Sequence, residues 1–107
     1  MKSLGRQEFE EVYLNGKKFH STFFTLIFLA SQDIRFGFVV SKKHGSAVVR
    51  NKIRRRIKAA LENILKHLSL DQTGHIVVVP KTGIAKAGFK DLCEDLYKVA
   101  KKALVVS

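Results

Sequence analysis

The chain has 107 residues, room for one domain, and 46% of them are hydrophobic, too many for a disordered basic tail. Its formal net charge is +11, with 20 Lys and Arg against 9 Asp and Glu, which points to a polyanionic partner. The single cysteine, Cys93, excludes an intrachain disulfide, and no apolar run approaches the roughly 20 residues of a membrane-spanning helix.

Leu4, Phe9, Val12 and Tyr13 fall at helical spacing, and Gly16 follows as a stop, which predicts a short first helix with the Phe9 and Tyr13 rings four residues apart on one side. Lys2, Arg6, Glu8, Glu10 and Glu11 are scattered through the same stretch, which carries no secretory apolar core. A cytoplasmic location and no membrane partner are therefore expected, with Glu8, Glu10 and Glu11 on a solvated face. From 18 to 30 the pattern changes to strand formers, with Phe19, Phe23, Phe24, Ile27 and Phe28 set among Thr22 and Thr25. After a turn at 31–33, Ile34, Phe36, Phe38 and Val40 alternate with Arg35, Gly37 and Val39, which predicts a second strand and an antiparallel hairpin with the first.

A loop at 41–46 follows, with Gly45 free to take a positive φ and Ser46 placed to cap a long helix over 47–68. The apolar stripe of this helix is Val49, Ile53, Ile57, Ala60, Leu61, Ile64, Leu65 and Leu68. Asn51, Arg54, Arg55 and Lys58 project away from the stripe, with Arg50, Lys52 and Arg56 at its borders. A second loop at 69–75 leads to the uninterrupted apolar run 76–79, closed by Pro80, which suits a strand buried on both faces. The strands before and after the long helix are placed to run side by side and parallel. A connector then leads to a final amphipathic helix through Phe89, Leu92, Cys93, Leu96, Val99, Ala100 and Ala103. The order predicts a single α+β domain over 1–107, with helices covering one face of a small sheet.

Eight of the twenty cationic residues lie between 42 and 58, where no acid occurs, leaving twelve against nine elsewhere. The charge is therefore one concentrated site on a nearly balanced domain. Lys42 and Lys43 sit beside the start of a helix, whose free N–H groups already attract anions. Arg50, Arg54 and Arg55 can extend the track with bidentate phosphate contacts. Structured RNA fits better than duplex DNA, since no helix-turn-helix spacing precedes the helix. Phe9, Tyr13 and Phe19 are candidate platforms for unpaired bases. His20, His44, His67 and His75 are scattered, and neither a zinc motif nor a phosphate loop is present, so no catalytic residue and no metal ligand is assigned to the protein.

Two segments together resemble a known signature: Phe36-Gly37-Phe38-Val39-Val40-Ser41-Lys42-Lys43, then Ala47-Val48-Val49-Arg50-Asn51-Lys52-Ile53-Arg54-Arg55. The order is similar to that of the bacterial ribonuclease P protein component, whose helix carries an Arg-Asn-Arg motif, and the likeness extends from about Leu4 to Leu104. It implies an α-β-β-β-α-β-α two-layer sandwich like the second domain of ribosomal protein S5, with a left-handed crossover through the basic helix. It implies two RNA partners, the catalytic RNA of ribonuclease P and precursor tRNA, with no obligate protein partner. The activity would be endonucleolytic removal of the tRNA 5′ leader, with Mg²⁺ held mainly by the RNA subunit. By position, Lys42, Lys43, Arg50, Asn51, Lys52, Arg54, Arg55 and the neighbouring Lys58 would face RNA. Phe9 and Tyr13 would line a leader-binding cleft, with Phe19 added from the pattern. Lys52 departs from the second arginine of the motif, keeping charge but losing bidentate geometry. His44 stands where an apolar residue is common, and Tyr13 where Phe is frequent. A ribosomal or ribosome-assembly protein on a related fold would share the charge, but not the ordered Ser-Lys-Lys to Arg-Asn-Lys-Ile-Arg-Arg signature.

Overall fold

The structure, a computed structural model, describes residues 2–67 and 72–105. Its elements are β1 (Lys2–Ser3), α1 (Arg6–Asn15), β2 (Lys17–His20), β3 (Phe24–Ala30), β4 (Arg35–Phe38), α2 (Ala47–His67), β5 (Gly74–Pro80) and α3 (Phe89–Leu104). Apart from the two-residue β1, this is the expected α-β-β-β-α-β-α order. Leu68 and the 69–71 part of the second expected loop lie outside the described residues.

The apolar run of β5 puts it at the centre of the sheet, whose order is β1-β4-β5-β3-β2. Ile76, Val77 and Val78 are fully buried, and a strand apolar on both faces needs a neighbour along each edge for its backbone groups. β4 pairs with β5 in parallel, as expected for strands joined through α2, while β3 pairs with β5 antiparallel.

The predicted hairpin between the 18–30 and 34–40 stretches is therefore replaced by a different pairing, because β5 lies between them. The segment between β3 and β4 steps across that strand, anchored by Ser31 N–H to the Thr73 carbonyl at 3.1 Å and by the Thr73 hydroxyl to the Ser31 carbonyl at 2.7 Å. The actual hairpin is β2 with β3, folded out of what read as one long strand. Gly74 and His75, expected in a loop, begin β5. A Cβ at Gly74 would collide with the Leu29 carbonyl and the Phe28 ring, so the close approach of β3 and β5 requires glycine there.

Pleating sends alternate residues to opposite faces. Phe24, Leu26, Phe28, Phe36, Ile76 and Val78 join Ile53, Ile57 and Leu61 of α2 and Leu92, Leu96 and Val99 of α3 in the main core. Ile27 and Val77 point the other way and meet Val12 of α1, with Leu4, Phe9 and Val79 around them. Helices thus cover both faces, not one, because the central strands are apolar on both sides. Leu4 also departs from expectation: its N–H donates to the Phe36 carbonyl at 2.8 Å, continuing β1 along β4, and α1 begins only at Arg6.

One buried acid holds the β2–β3 turn in place. Asp95, on α3 and 8% exposed, accepts from the Ser21 hydroxyl at 2.6 Å, the Phe23 N–H at 2.8 Å and the Thr22 N–H at 3.1 Å. Lys81 adds a bond from Nζ to the Ser21 carbonyl at 2.6 Å.

Candidate RNA interface

The loop before α2 is built by local backbone bonds. His44 N–H donates to the Ser41 carbonyl and Gly45 N–H to the Lys42 carbonyl, forming a 3-10 turn at Lys42–His44. Gly45 takes the expected positive φ, 126°. Ser46 caps α2, its hydroxyl accepting the Val49 N–H at 3.4 Å. His44 turns inward and is buried, which lowers its pKa, with Lys43 adding to the effect and a backbone hydrogen bond to Pro80 opposing it. That inward anchor leaves Lys42 and Lys43 exposed on the outside of the turn that launches α2.

The cationic side chains of α2 divide between its flanks. Asn51, Arg54, Arg55 and Lys58 are all exposed. Arg54 bends back: one guanidinium nitrogen donates to Asn51 Oδ1 at 3.2 Å and another to the Val40 carbonyl at 3.3 Å. It therefore lies on the flank beside the end of β4. Arg50 is half-buried, with its Nε and the Ser41 hydroxyl both shielded and without a hydrogen-bond partner among the described residues. Lys52 is exposed rather than at a border, and it lies on the other flank of α2, with Arg56. A helix turns about 100° per residue, so residues two apart, such as Lys52 and Arg54, cannot share a flank.

The aromatic candidates separate as well. Phe9 and Tyr13 stack, ring centroids 5.7 Å apart at an interplanar angle of 25°. Phe9 lies over Gly37 of β4, where a Cβ would come within 2.9 Å of the ring, and Tyr13 is 42% exposed beside it. Phe19 pairs with Leu26 and so points to the opposite face, packed against the main core with Lys17 Nζ 5.4 Å above its ring. It does not join Phe9 and Tyr13 in one cleft. The pleat brings Lys18 and His20 of β2 to their face instead, across from Ile27 and Thr25, and His20 Nδ1 lies 3.0 Å from the Thr25 hydroxyl. Sequence reasoning missed these two because the 18–30 stretch read as a single strand; once the turn is placed, the alternation reveals them.

Two acids near this cleft, Glu8 and Asp33, are already engaged. Glu8, expected on a solvated face, accepts the Gly5 N–H at 2.8 Å and pairs with Arg35 at 3.3 Å. Asp33 binds Arg35 at 2.8 Å and His75 at 3.0 Å, and these hydrogen bonds lower its pKa while raising that of Arg35.

A cationic turn feeding a helix with a charged outer side, beside a sheet face carrying stacked aromatics, defines a small α+β nucleic-acid-binding subunit. The family model Ribonuclease P matches residues 3–104. The ribonuclease P protein component of Nitratiruptor sp. is 36% identical over 97 residues, covering 91% of this chain and 86% of that protein. That of Caldanaerobacter subterraneus is 37% identical over 98 residues, covering 90% and 83%. The solved ribonuclease P protein of Thermotoga maritima superposes with a TM-score of 0.84 at 24% identity, covering 95% of this chain and 97% of that one, and shares the fold. The chain belongs to the bacterial ribonuclease P protein component family. It is a subunit of an endoribonuclease that matures tRNA 5′ ends and works with an RNA subunit.

Proposed function

We propose that Lys42, Lys43 and the flank of α2 bearing Asn51, Arg54, Arg55 and Lys58 grip the catalytic RNA of ribonuclease P in the cytoplasm. The 5′ leader of precursor tRNA then runs through the cleft between α1 and the sheet. The observation that carries this reading is the exposure of those six side chains along one turn and the helix it launches. Phosphates that approach the turn meet the lysines and the positive end of α2 together. Arg50, half-buried behind them, supplies charge from beneath, and Lys52 reaches the RNA from the far flank. In the cleft, Phe9 and Tyr13 offer a stacking surface, with Lys18 and His20 as its cationic and polar margin. Phe19 is left out, since it faces the main core.

Mg²⁺ is assigned to the RNA, where it supplies activated water and stabilises the leaving oxygen. Two acids near the cleft fit that assignment, since Glu8 and Asp33 are paired with Arg35 and His75. The protein contributes positive charge and binds the substrate, and cleavage by carefully RNA-free protein would defeat this division. The direct test is reconstitution with a bacterial ribonuclease P RNA and precursor tRNA across a Mg²⁺ series. The protein should lower the Mg²⁺ needed for cleavage, and Phe9→Ala or Tyr13→Ala should impair long-leader substrates more than tRNA lacking a leader. Equal losses on both would reject the cleft assignment.

A further inference from the structure

The second flank of α2 has a cationic edge of its own, and α3 faces it with aromatics. Two residues apart on a helix lie roughly 200° apart around its axis. Arg54 reaches the Val40 carbonyl just past β4, so Arg56, together with Lys52 and Asn63 on its side, turns toward α3. Asp95 reaches the β2–β3 turn, so Cys93 and Tyr97 turn toward α2. Asn63, Ile64, Cys93, Tyr97 and Lys101 accordingly line one depression. Phe89, Cys93, Tyr97 and Lys101 are four residues apart in succession and form one row along α3. Phe89 is 46% exposed and Tyr97 41%, although both are large and apolar-bodied. Among the described residues, Lys52, Arg56 and Lys101 make no salt bridge. Glu94 and the turn-bound Asp95 line the same depression, and Lys98 and Lys102 join Lys101 there as further cations.

We propose that this groove is a second RNA-binding surface, which takes an unpaired strand. Its bases stack on Tyr97 and, further along the same row beyond the depression, on Phe89, and its phosphates pair with Lys101 in the depression and with Arg56 on the edge of α2. Exposed rings bordered by unpaired cations are the combination that holds single strands without reading sequence. A duplex hides its bases and gains only the charge. The surface is separate from the Arg54 flank and from the Phe9–Tyr13 cleft, and it stands whether or not those contacts do.

The test is fluorescence anisotropy of the full chain with a labelled, unstructured oligoribonucleotide of about ten nucleotides and an RNA duplex of equal length. Tyr97→Ala should weaken single-strand binding about 5- to 150-fold, the loss of one base stack, and leave duplex binding within twofold. Tyr97→Phe should bind like the parent. Lys101→Ala should lower the logarithmic salt slope for the single strand by about 0.7. The same Tyr97→Ala loss should persist on an Arg54→Glu/Arg55→Glu background, which separates this surface from the first flank. Unaltered single-strand affinity in Tyr97→Ala, with an unchanged melting temperature, would overturn the proposal. So would equal loss for duplex and single strand, or equal competition by an acidic peptide, which would mark a protein-binding surface instead.

Discussion

Removing the carboxylate of Asp95 tests how α3 holds the edge of the sheet. Asp95→Ala leaves the Ser21 hydroxyl and the Thr22 and Phe23 N–H groups without their acceptor. Thr22 is exposed and can turn to water, and the Ser21 hydroxyl still accepts the Phe24 N–H and can redirect its one proton to the Phe24 carbonyl. Phe23 N–H is half-buried and loses a charge-assisted partner outright. One unsatisfied donor at about 1–3 kcal/mol, plus the loss of bonds to a charged acceptor, puts the cost near 3 kcal/mol. For a domain of this size that is a fall in melting temperature of about 12 °C. Asp95→Asn keeps one acceptor oxygen and should lose about half as much. Thermal melting by circular dichroism gives the size, and amide hydrogen exchange gives the place. Protection should fall first in β2, which the turn holds to β3, while β5 keeps its own. An Asp95→Ala protein melting within about 3 °C of the parent, with β2 still protected, would refute the clamp.

Gly37→Ala would place a methyl group within 2.9 Å of the Phe9 ring and 3.2 Å of Leu4. It should cost about 1–3 kcal/mol, measurable by melting, and reduce long-leader processing by displacing Phe9; adding Phe9→Leu should recover the stability but not the processing. Arg54→Ala and Arg55→Ala should differ: each should lower the salt slope of catalytic-RNA binding by roughly 1, but only Arg54→Ala should also lose about 1 kcal/mol of stability in urea titration, from its bond to Val40. For His44 the folded pKa lies below the ordinary imidazole value of about 6.5, so the unfolded chain takes up the proton first and stability falls as pH drops below that value. His44→Leu should flatten this part of the melting profile between pH 7 and pH 5, and an unchanged slope would show that His44 does not titrate on unfolding. Asp33, its pKa lowered, loses its contribution only as pH falls through the ordinary carboxylate range and below, outside that window.

Period and composition alone located α2, its buried stripe of Ile53, Ile57, Ala60, Leu61 and Ile64, the Ser46 cap and the positive φ at Gly45. The ordered Ser-Lys-Lys and Arg-Asn-Lys residues named the family, because charge type and spacing along one segment are properties of the chain itself. Local order also placed Phe9 over Tyr13, since four residues of helix suffice. Which strands touch is another matter. Alternation says that a residue faces up or down but not which neighbour lies beside it, so β5 could enter between β3 and β4 without any local signal. A turn at 21–23 then decided that Phe19 packs into the main core and Lys18 and His20 face the cleft. Asp95 found its partners more than seventy residues away, and only tertiary packing laid the Arg54 flank of α2 beside Val40. Helix and strand periods are written in short stretches, whereas register, strand order and helix apposition are set by burial of surfaces that meet only when the whole chain folds.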